Sequence, residues 1–300
     1  MTDVPPQVHE LVKQRARARA DRDFARADAL RDRIGELGYR VVDGPEGSSV
    51  EPVAAERTPR RRAGDVPSVL GEPATADVSL HWVVEGWPDD VARAVASFRR
   101  FAGHREVHYV VADLTETDPA TYGDDVEVVS LEAGTGWAAA RNAGLRRSRG
   151  RVVVALDGSV EAIGDAFGPL EAALADPSVG VCGPFGISTE DLREFHESTG
   201  PEVDAVEGYL MAFRRDLLGE IARFDERFRW YRTADIELCF RLKDAGFRAL
   251  VVHVPVARHE HRMWTATSPE ERDRLSRRNY NRFLARFRGR FDLLVSRQRD

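Results

Sequence analysis

Three carboxylates stand where short apolar runs stop: Glu85 after VSLHWVV (78–84), Asp113 after VHYVVA, and Asp157 after RVVVAL (151–156). A parallel sheet binds its ligands beyond the carboxyl ends of its strands, where acids can hold a ligand hydroxyl, a base or a cation. A single Asp in such a place is most often a loop acid; three at successive strand ends weaken that reading. Between them lies the loop GTGW (134–137). Gly134-x-Gly136-x-x-Ala139 follows an apolar run and opens a helical pattern, and Asp157 closes the next run, a spacing compatible with dinucleotide binding, although at the third strand rather than the first. His259-Glu260-His261 puts two imidazoles on one face of an extended segment, where they could share a cation; the competing reading is a surface loop. Asp235 falls at or just before the first turn of a helix bearing Ile236, Leu238, Cys239 and Leu242. A helix N-terminus would lower its pKa and keep it ready to accept a proton, and the same place suits a helix cap.

Positioning these groups takes an alternation of elements. The spacing predicts strands over 78–84, 107–111, 126–131, 151–156 and 179–182, with helices over 89–102, 135–147 and 164–175. Short apolar strands alternating with helices predict an α/β protein, a mostly parallel sheet with helices on both faces. Farther on, Ser268-Pro269-Glu270-Glu271 reads as a helix start, and Leu275, Tyr280, Phe283, Leu284 and Phe287 form a stripe among arginines. That helix is read as packing its aromatic side on the domain, in preference to an arginine surface for a diphosphate, an anionic acceptor or a membrane.

The front of the chain differs in texture. Residues 1–50 predict a small helical hairpin, with Phe24, Ala27, Leu30, Ile34 and Leu37 on one face, Asp23 as cap and Gly38 as stop, followed by a strand over 39–42 and a turn over 43–47. Residues 51–76 carry four prolines and few large apolar groups and read as a flexible linker. The domain proper is placed at 77–300. The stretch 15–47, RARARADRDFARADALRDRIGELGYRVVDGPEG, resembles the C-terminal end of cysteinyl-tRNA synthetases; the nucleotide-binding signatures and zinc cysteines of such enzymes are absent, which excludes aminoacylation. Residues 1–63 hold 13 basic against 11 acidic groups, a weak footprint for phosphate, so packing or protein contact is preferred for residues 1–50 over contact with tRNA.

A net charge of −6 argues against general nucleic-acid binding. Two cysteines, Cys182 and Cys239, make no disulfide framework. With no apolar run long enough to span a bilayer and no secretory pattern at the start, a cytoplasmic location without a transmembrane segment is expected.

Residues 77–262 resemble glycosyltransferase family 2, of the GT-A (Rossmann-like) fold. The resemblance rests on Asp113; on GWAAARNAGLRRSRG (136–150); on VVVALDGS (152–159); on VEGYLMAFRRDLLGEIARFDERFRWY (206–231); and on ADIELCFRLKDAGFRALVVHVPVARHEH (234–261). It implies a nucleotide-sugar site of Glu85, Asp113, Arg141, Asn142, Asp157 and Ser159. Asp113 would meet the base, Arg141 phosphate or ribose, and Asn142 would hold its loop. Two acids of the family pattern are missing. Ser159 stands where the second acid of Asp-x-Asp binds a divalent metal, and Ala234 replaces the first of an acidic pair. Mn²⁺ or Mg²⁺, held by Asp157, His259 and His261, would therefore bind weakly.

The implied function is transfer of a sugar, of the hexosyltransferase type, from a nucleotide-sugar donor to a glycan, lipid or small-molecule acceptor. Asp235 would be the general base, and direct displacement would invert the anomeric centre. Two alternatives stand beside it: a non-catalytic binding module of the same fold, suggested by Ser159 and Ala234, and a dinucleotide-dependent oxidoreductase, suggested by the glycine spacing.

Overall fold

The computed structural model describes residues 4–44, 47–52, 59–219 and 221–298. The chain divides into two compact units, Met1–Thr58 and Pro59–Asp300. In the first, α1 (Pro6–Ala20) and α2 (Phe24–Glu36) pack on each other and precede the hairpin β1 (Tyr39–Gly44) and β2 (Gly47–Pro52). Val8, Ala18, Ala27 and Ile34 are buried. The Asp23 carboxylate accepts the Arg26 N–H at 3.0 Å, and Gly38 adopts φ +77° where α2 stops. The expected turn over 43–47 includes Pro45 and Glu46, outside the described residues. β2 was not expected; GSSVEP has little apolar content and pairs antiparallel with β1 through backbone bonds.

The second unit runs β3 (Ala76–Val84), α3 (Pro88–Arg100), β4 (Val107–Asp113), β5 (Val126–Ser130), α4 (Trp137–Leu145), β6 (Gly150–Leu156), β7 (Val160–Ala162), α5 (Gly168–Leu174) and β8 (Val179–Gly183). Then come β9 (Gly186–Ser188), β10 (His196–Ser198), β11 (Glu202–Val203), β12 (Ala205–Val206), β13 (Leu210–Arg214), α6 (Ala234–Asp244), β14 (Arg248–Val251), β15 (Val256–Arg258), α7 (Arg262–Ala266), α8 (Pro269–Phe287) and α9 (Val295–Gln298). The main sheet has the order β11-β14-β8-β13-β6-β3-β4-β5. Neighbours β6, β3, β4 and β5 are parallel, as are β14 and β8, whereas β13 is antiparallel to both its neighbours.

The strands read as unbroken apolar runs because both faces are covered. Val154 and Leu156 pack with Val95 and Phe98 of α3 and Leu170 of α5; Val153 and Ala155, one residue out of step, pack with Leu238 and Leu242 of α6. That is the two-residue period of a strand. The aromatic side of α8 packs as expected, Phe283 and Phe287 against Phe240, Leu192 and Leu294.

The stretch read as a flexible linker is largely part of this unit. Residues 53–58 lie outside the described residues, but 59–76 are packed down. Val66 and Val69 are buried. Arg61 bridges to Leu131, its N–H donating to Ser130 O at 3.0 Å. Arg215 reaches the carbonyls of Ser148 and Glu72, at 2.9 and 2.8 Å, and of Val69. Backbone carbonyls captured by arginines of the body supply an anchorage that composition does not reveal.

A strand-end cleft as candidate active site

The parallel strands end on one side of the sheet. β3 stops at Val84 and delivers Glu85; the chain then turns through Trp87, at φ +52°, into α3. A bulky residue there is strained, and Trp87 lines the cleft it borders. β6 stops at Leu156 and delivers Asp157, whose N–H donates to Tyr209 O at 2.9 Å. After β15, His261 caps α7: its Nδ1 accepts the Trp264 N–H at 3.2 Å, and its Nε2 lies 3.1 Å from Asp157 Oδ2. Ser159 donates both its N–H, at 2.8 Å, and its hydroxyl to Asp157 Oδ1.

Glu85, Arg141, Asp157, Ser159 and His261 thus line one narrow recess. It opens into a wider cleft of about 460 Å³, sharing Trp137, Arg141, Asp157, Tyr231 and His261 and adding Glu207, Tyr209, Arg232 and Asp235. That volume suits a sugar-sized ligand.

Electrostatics differ along this path. Burial pushes the Glu85 carboxyl up to about 7, with the Asp157 charge helping and Arg141 and His261 opposing. Burial also pushes on Asp157, but the hydrogen bonds from His261 and Ser159 and the His261 charge outweigh it and hold Asp157 below the usual carboxylate range. Burial alone would lower His261, yet Asp157 raises it above the ordinary imidazole value. Full protonation of that ring would cost the Nδ1 cap on α7, because an N–H cannot accept.

Asp235 departs from its expected state. It lies in the first turn of α6 behind Thr233, at φ +70°, and does not cap the helix. Its Oδ2 accepts the Gly208 N–H at 2.8 Å and its Oδ1 the Ile236 N–H at 2.9 Å. Its pKa is raised, not lowered: desolvation outweighs those two bonds and the Arg232 charge.

Other expected ligand groups are turned to the scaffold. Arg141 is 2% exposed; Nη1 donates to His81 O at 2.8 Å and Nη2 to Leu156 O at 2.9 Å, tying the ends of β3 and β6 together. Burial lowers its pKa to about 10, which leaves it cationic at neutral pH behind Asp157 and Glu85. Asn142 clamps the Phe224 backbone, Nδ2 to O at 2.8 Å and N–H to Oδ1 at 2.9 Å. Asp113 accepts the N–H and hydroxyl of Thr115, at 2.7 and 2.6 Å, and is not among the residues lining the cleft.

His259 does not join Asp157. Its Nε2 is 3.0 Å from Glu161 Oε1, so the expected two-histidine arrangement is not formed. Asp157 and His261 remain, bonded to each other, with a neutral hydroxyl already donated. Among the described residues no three of His, Cys, Asp or Glu converge on a point that could hold a metal ion. This donor set does not fit a tightly held divalent cation.

The glycine loop also lacks the dinucleotide arrangement. The first N–H groups of α4, from Trp137 and Ala138, donate to the carbonyls of Arg229 and Phe228 at 3.1 and 3.2 Å. They are therefore not free to cradle a pyrophosphate, and the oxidoreductase reading loses its site.

Glu207, Tyr209, Tyr231 and Arg232 were missed as cleft residues. Burial, reinforced by Asp235, raises the Glu207 pKa. A signal existed, since Glu207-Gly208-Tyr209 precedes β13 and the Gly208 N–H holds Asp235.

Among the described residues no helix is long and apolar enough to cross a membrane. The cysteinyl-tRNA ligase anticodon binding domain matches residues 1–48. Over that segment the cysteine–tRNA ligases of Nitratidesulfovibrio vulgaris and a Nocardioides species are 57% identical over 44 residues and 52% identical over 40. These matches cover 15% and 13% of this chain but 9% and 8% of the ligases, so the chain spans under a tenth of their length. The fold is similar to that of GalNAc-T7, solved with UDP, GalNAc and Mn²⁺, at a TM-score of 0.59 and 17% identity, over 74% of this chain and 49% of that one. The glycosyl transferase family 2 model matches residues 92–238. This chain thus carries a glycosyl transferase family 2 domain of GT-A fold, and before it a segment similar to the anticodon-binding domain of cysteinyl-tRNA ligases.

Proposed function

We propose that the second unit transfers a sugar from a nucleotide-sugar donor to an acceptor held in the wide end of the cleft. The observation that carries this reading is the continuity of the cleft: the strand-end cluster Glu85–Asp157–His261 and the half-buried carboxylate of Asp235 open onto one space. The donor diphosphate lies at the narrow end, before Asp157, Ser159 and the fixed charge of Arg141. Asp113 acts through the Thr115 loop that it holds.

Asp235 takes the proton of the acceptor hydroxyl. The freed oxygen attacks the anomeric carbon, the bond from that carbon to the diphosphate oxygen breaks, and the nucleoside diphosphate leaves with the electron pair. One displacement inverts the centre. A carboxylate whose pKa is lifted by burial is the better base near neutrality, and its two N–H partners hold it in place. Cationic Arg141 stabilises the leaving charge, while His261, through Nε2, holds the Asp157 carboxylate in place.

Differential scanning of the full chain with UDP, GDP and their sugars, with and without Mn²⁺, tests this reading. Stabilisation by a nucleoside diphosphate without metal is expected, with Ser159→Asp tightening Mn²⁺ by restoring an anionic oxygen. No nucleotide response under any condition would sink it. A binding-only module is the second reading, favoured by Ala234, whose methyl is 1% exposed and packed in the core where the family has an acid. Nucleotide binding without transfer to any acceptor would select it. A tRNA contact by residues 1–50 rests on the ligase likeness alone.

A further inference from the structure

The wide end of the cleft is lined by Arg193, Arg232 and Arg277, from the loop before β10, the turn before α6 and the middle of α8. This chain carries net charge −6, and many of its arginines sit against acids: on α8, Arg274 pairs with Glu271 and Arg286 with Glu237. None of the three cleft arginines lies within salt-bridge distance of a carboxylate among the described residues. All three are exposed. Arg232 is steadied by an aromatic face instead, its guanidinium 4.9 Å from the Trp264 ring centroid, which leaves its in-plane donors free. The Tyr280 hydroxyl donates to Leu192 O at 2.9 Å and so ties the loop that carries Arg193 to α8, which carries Arg277. Neither lines the narrow end, so the donor diphosphate is not what they are placed to meet.

We propose that these arginines select an acceptor bearing a phosphate or carboxylate, held by Arg193, Arg232 and Arg277 while one of its hydroxyls is presented to Asp235. Guanidinium forks match both oxyanions in two-point contact. This rests on the glycosyl-transfer reading for the direction of the acceptor, and its test keeps the two apart.

Isothermal titration of the full chain, saturated with UDP or GDP, compares glucose, glucose 6-phosphate, glucuronate and inorganic phosphate at low and high salt. The anionic sugars should bind at least about tenfold more tightly than glucose, with the margin shrinking in high salt. R193Q/R277Q should abolish that margin and leave nucleoside diphosphate affinity unchanged; R232Q should reduce it. Equal affinity for glucose and the anionic sugars, no binding of either, or a preference that survives R193Q/R277Q would overturn the proposal, as would inorganic phosphate binding as tightly as glucose 6-phosphate, which marks a bare anion hole. An anionic preference in a chain that binds no nucleotide would instead remove the donor reading.

Discussion

Glu85 shows how one side chain can carry a pH signature. Burial pushes its carboxyl up to about 7 in the folded chain, against about 4.5 for an ordinary glutamate. Between those values the folded state holds a proton that the unfolded state has lost, so this group's contribution to stability falls as pH rises through that window. Glu85→Gln removes the titration. The variant should match wild type near pH 4 and be more stable by about 1–3 kcal/mol near pH 8, as read by urea unfolding at both; equal or lower stability at the higher pH would refute the assignment. Asp235 poses a different test. Both its oxygens accept N–H groups, and asparagine can replace only one of them. Asp235→Asn should therefore cost about 1–2 kcal/mol and lower transfer by about 10²–10⁴-fold. Transfer at wild-type rate in the folded variant would move the base elsewhere, with Glu207 the next carboxylate in the cleft.

Close approach decides the elements. α4 lies so near β3 that a Cβ on Gly144 would sit 1.7 Å from His81 Nε2. The same ring touches Arg141 through Nδ1 at 3.0 Å and is kept neutral by burial and by the Arg141 charge. Gly144→Ala must push this ring, and with it the guanidinium behind Asp157. It should cost about 2–4 kcal/mol, and His81→Ala should recover a large part of the loss in the double variant. Thermal unfolding of both single variants and the double variant measures this coupling; additive losses would mean that the helix shifts as a whole.

At the scale of the molecule, every residue of the cleft belongs to the second unit. A chain starting at Pro59 should be soluble, unfold cooperatively and bind nucleoside diphosphate as the full chain does. Starting at Asp77 removes the buried Val66 and Val69, the Arg61–Leu131 bridge and the carbonyls that Arg215 bonds at Val69 and Glu72. Loss of about 3 kcal/mol or more is expected from the two valines and these bonds together. Guanidinium melts of the two truncated chains distinguish the cases, and equal midpoints would restore the reading of 59–76 as a linker.

What the sequence by itself determined is what repeats along it. Apolar runs of strand length alternate with helical spacing, so β3, α3, β4, β5, α4, β6 and β8 were legible to within a few residues, and the parallel sheet with them. Strand ends follow from strands, which is why Glu85 and Asp157 could be named from their places alone; His261 was named from its spacing to His259. Only the tertiary structure decided where each side chain spends its hydrogen bonds. Arg141, Asn142 and Asp113 stand in the expected positions, yet they bond strand carbonyls, the Phe224 backbone and Thr115. His259 stands two residues from His261 and faces Glu161 instead of Asp157. The first N–H groups of α4, free in any isolated helix, are taken by residues 228–229. The direction of the Asp235 pKa came out opposite to expectation because a helix terminus can be read along the chain, whereas desolvation is set by everything that folds over it. Glu207 and the three cleft arginines were legible as residue types; their meeting depends on a loop, a turn and a helix that no local pattern connects.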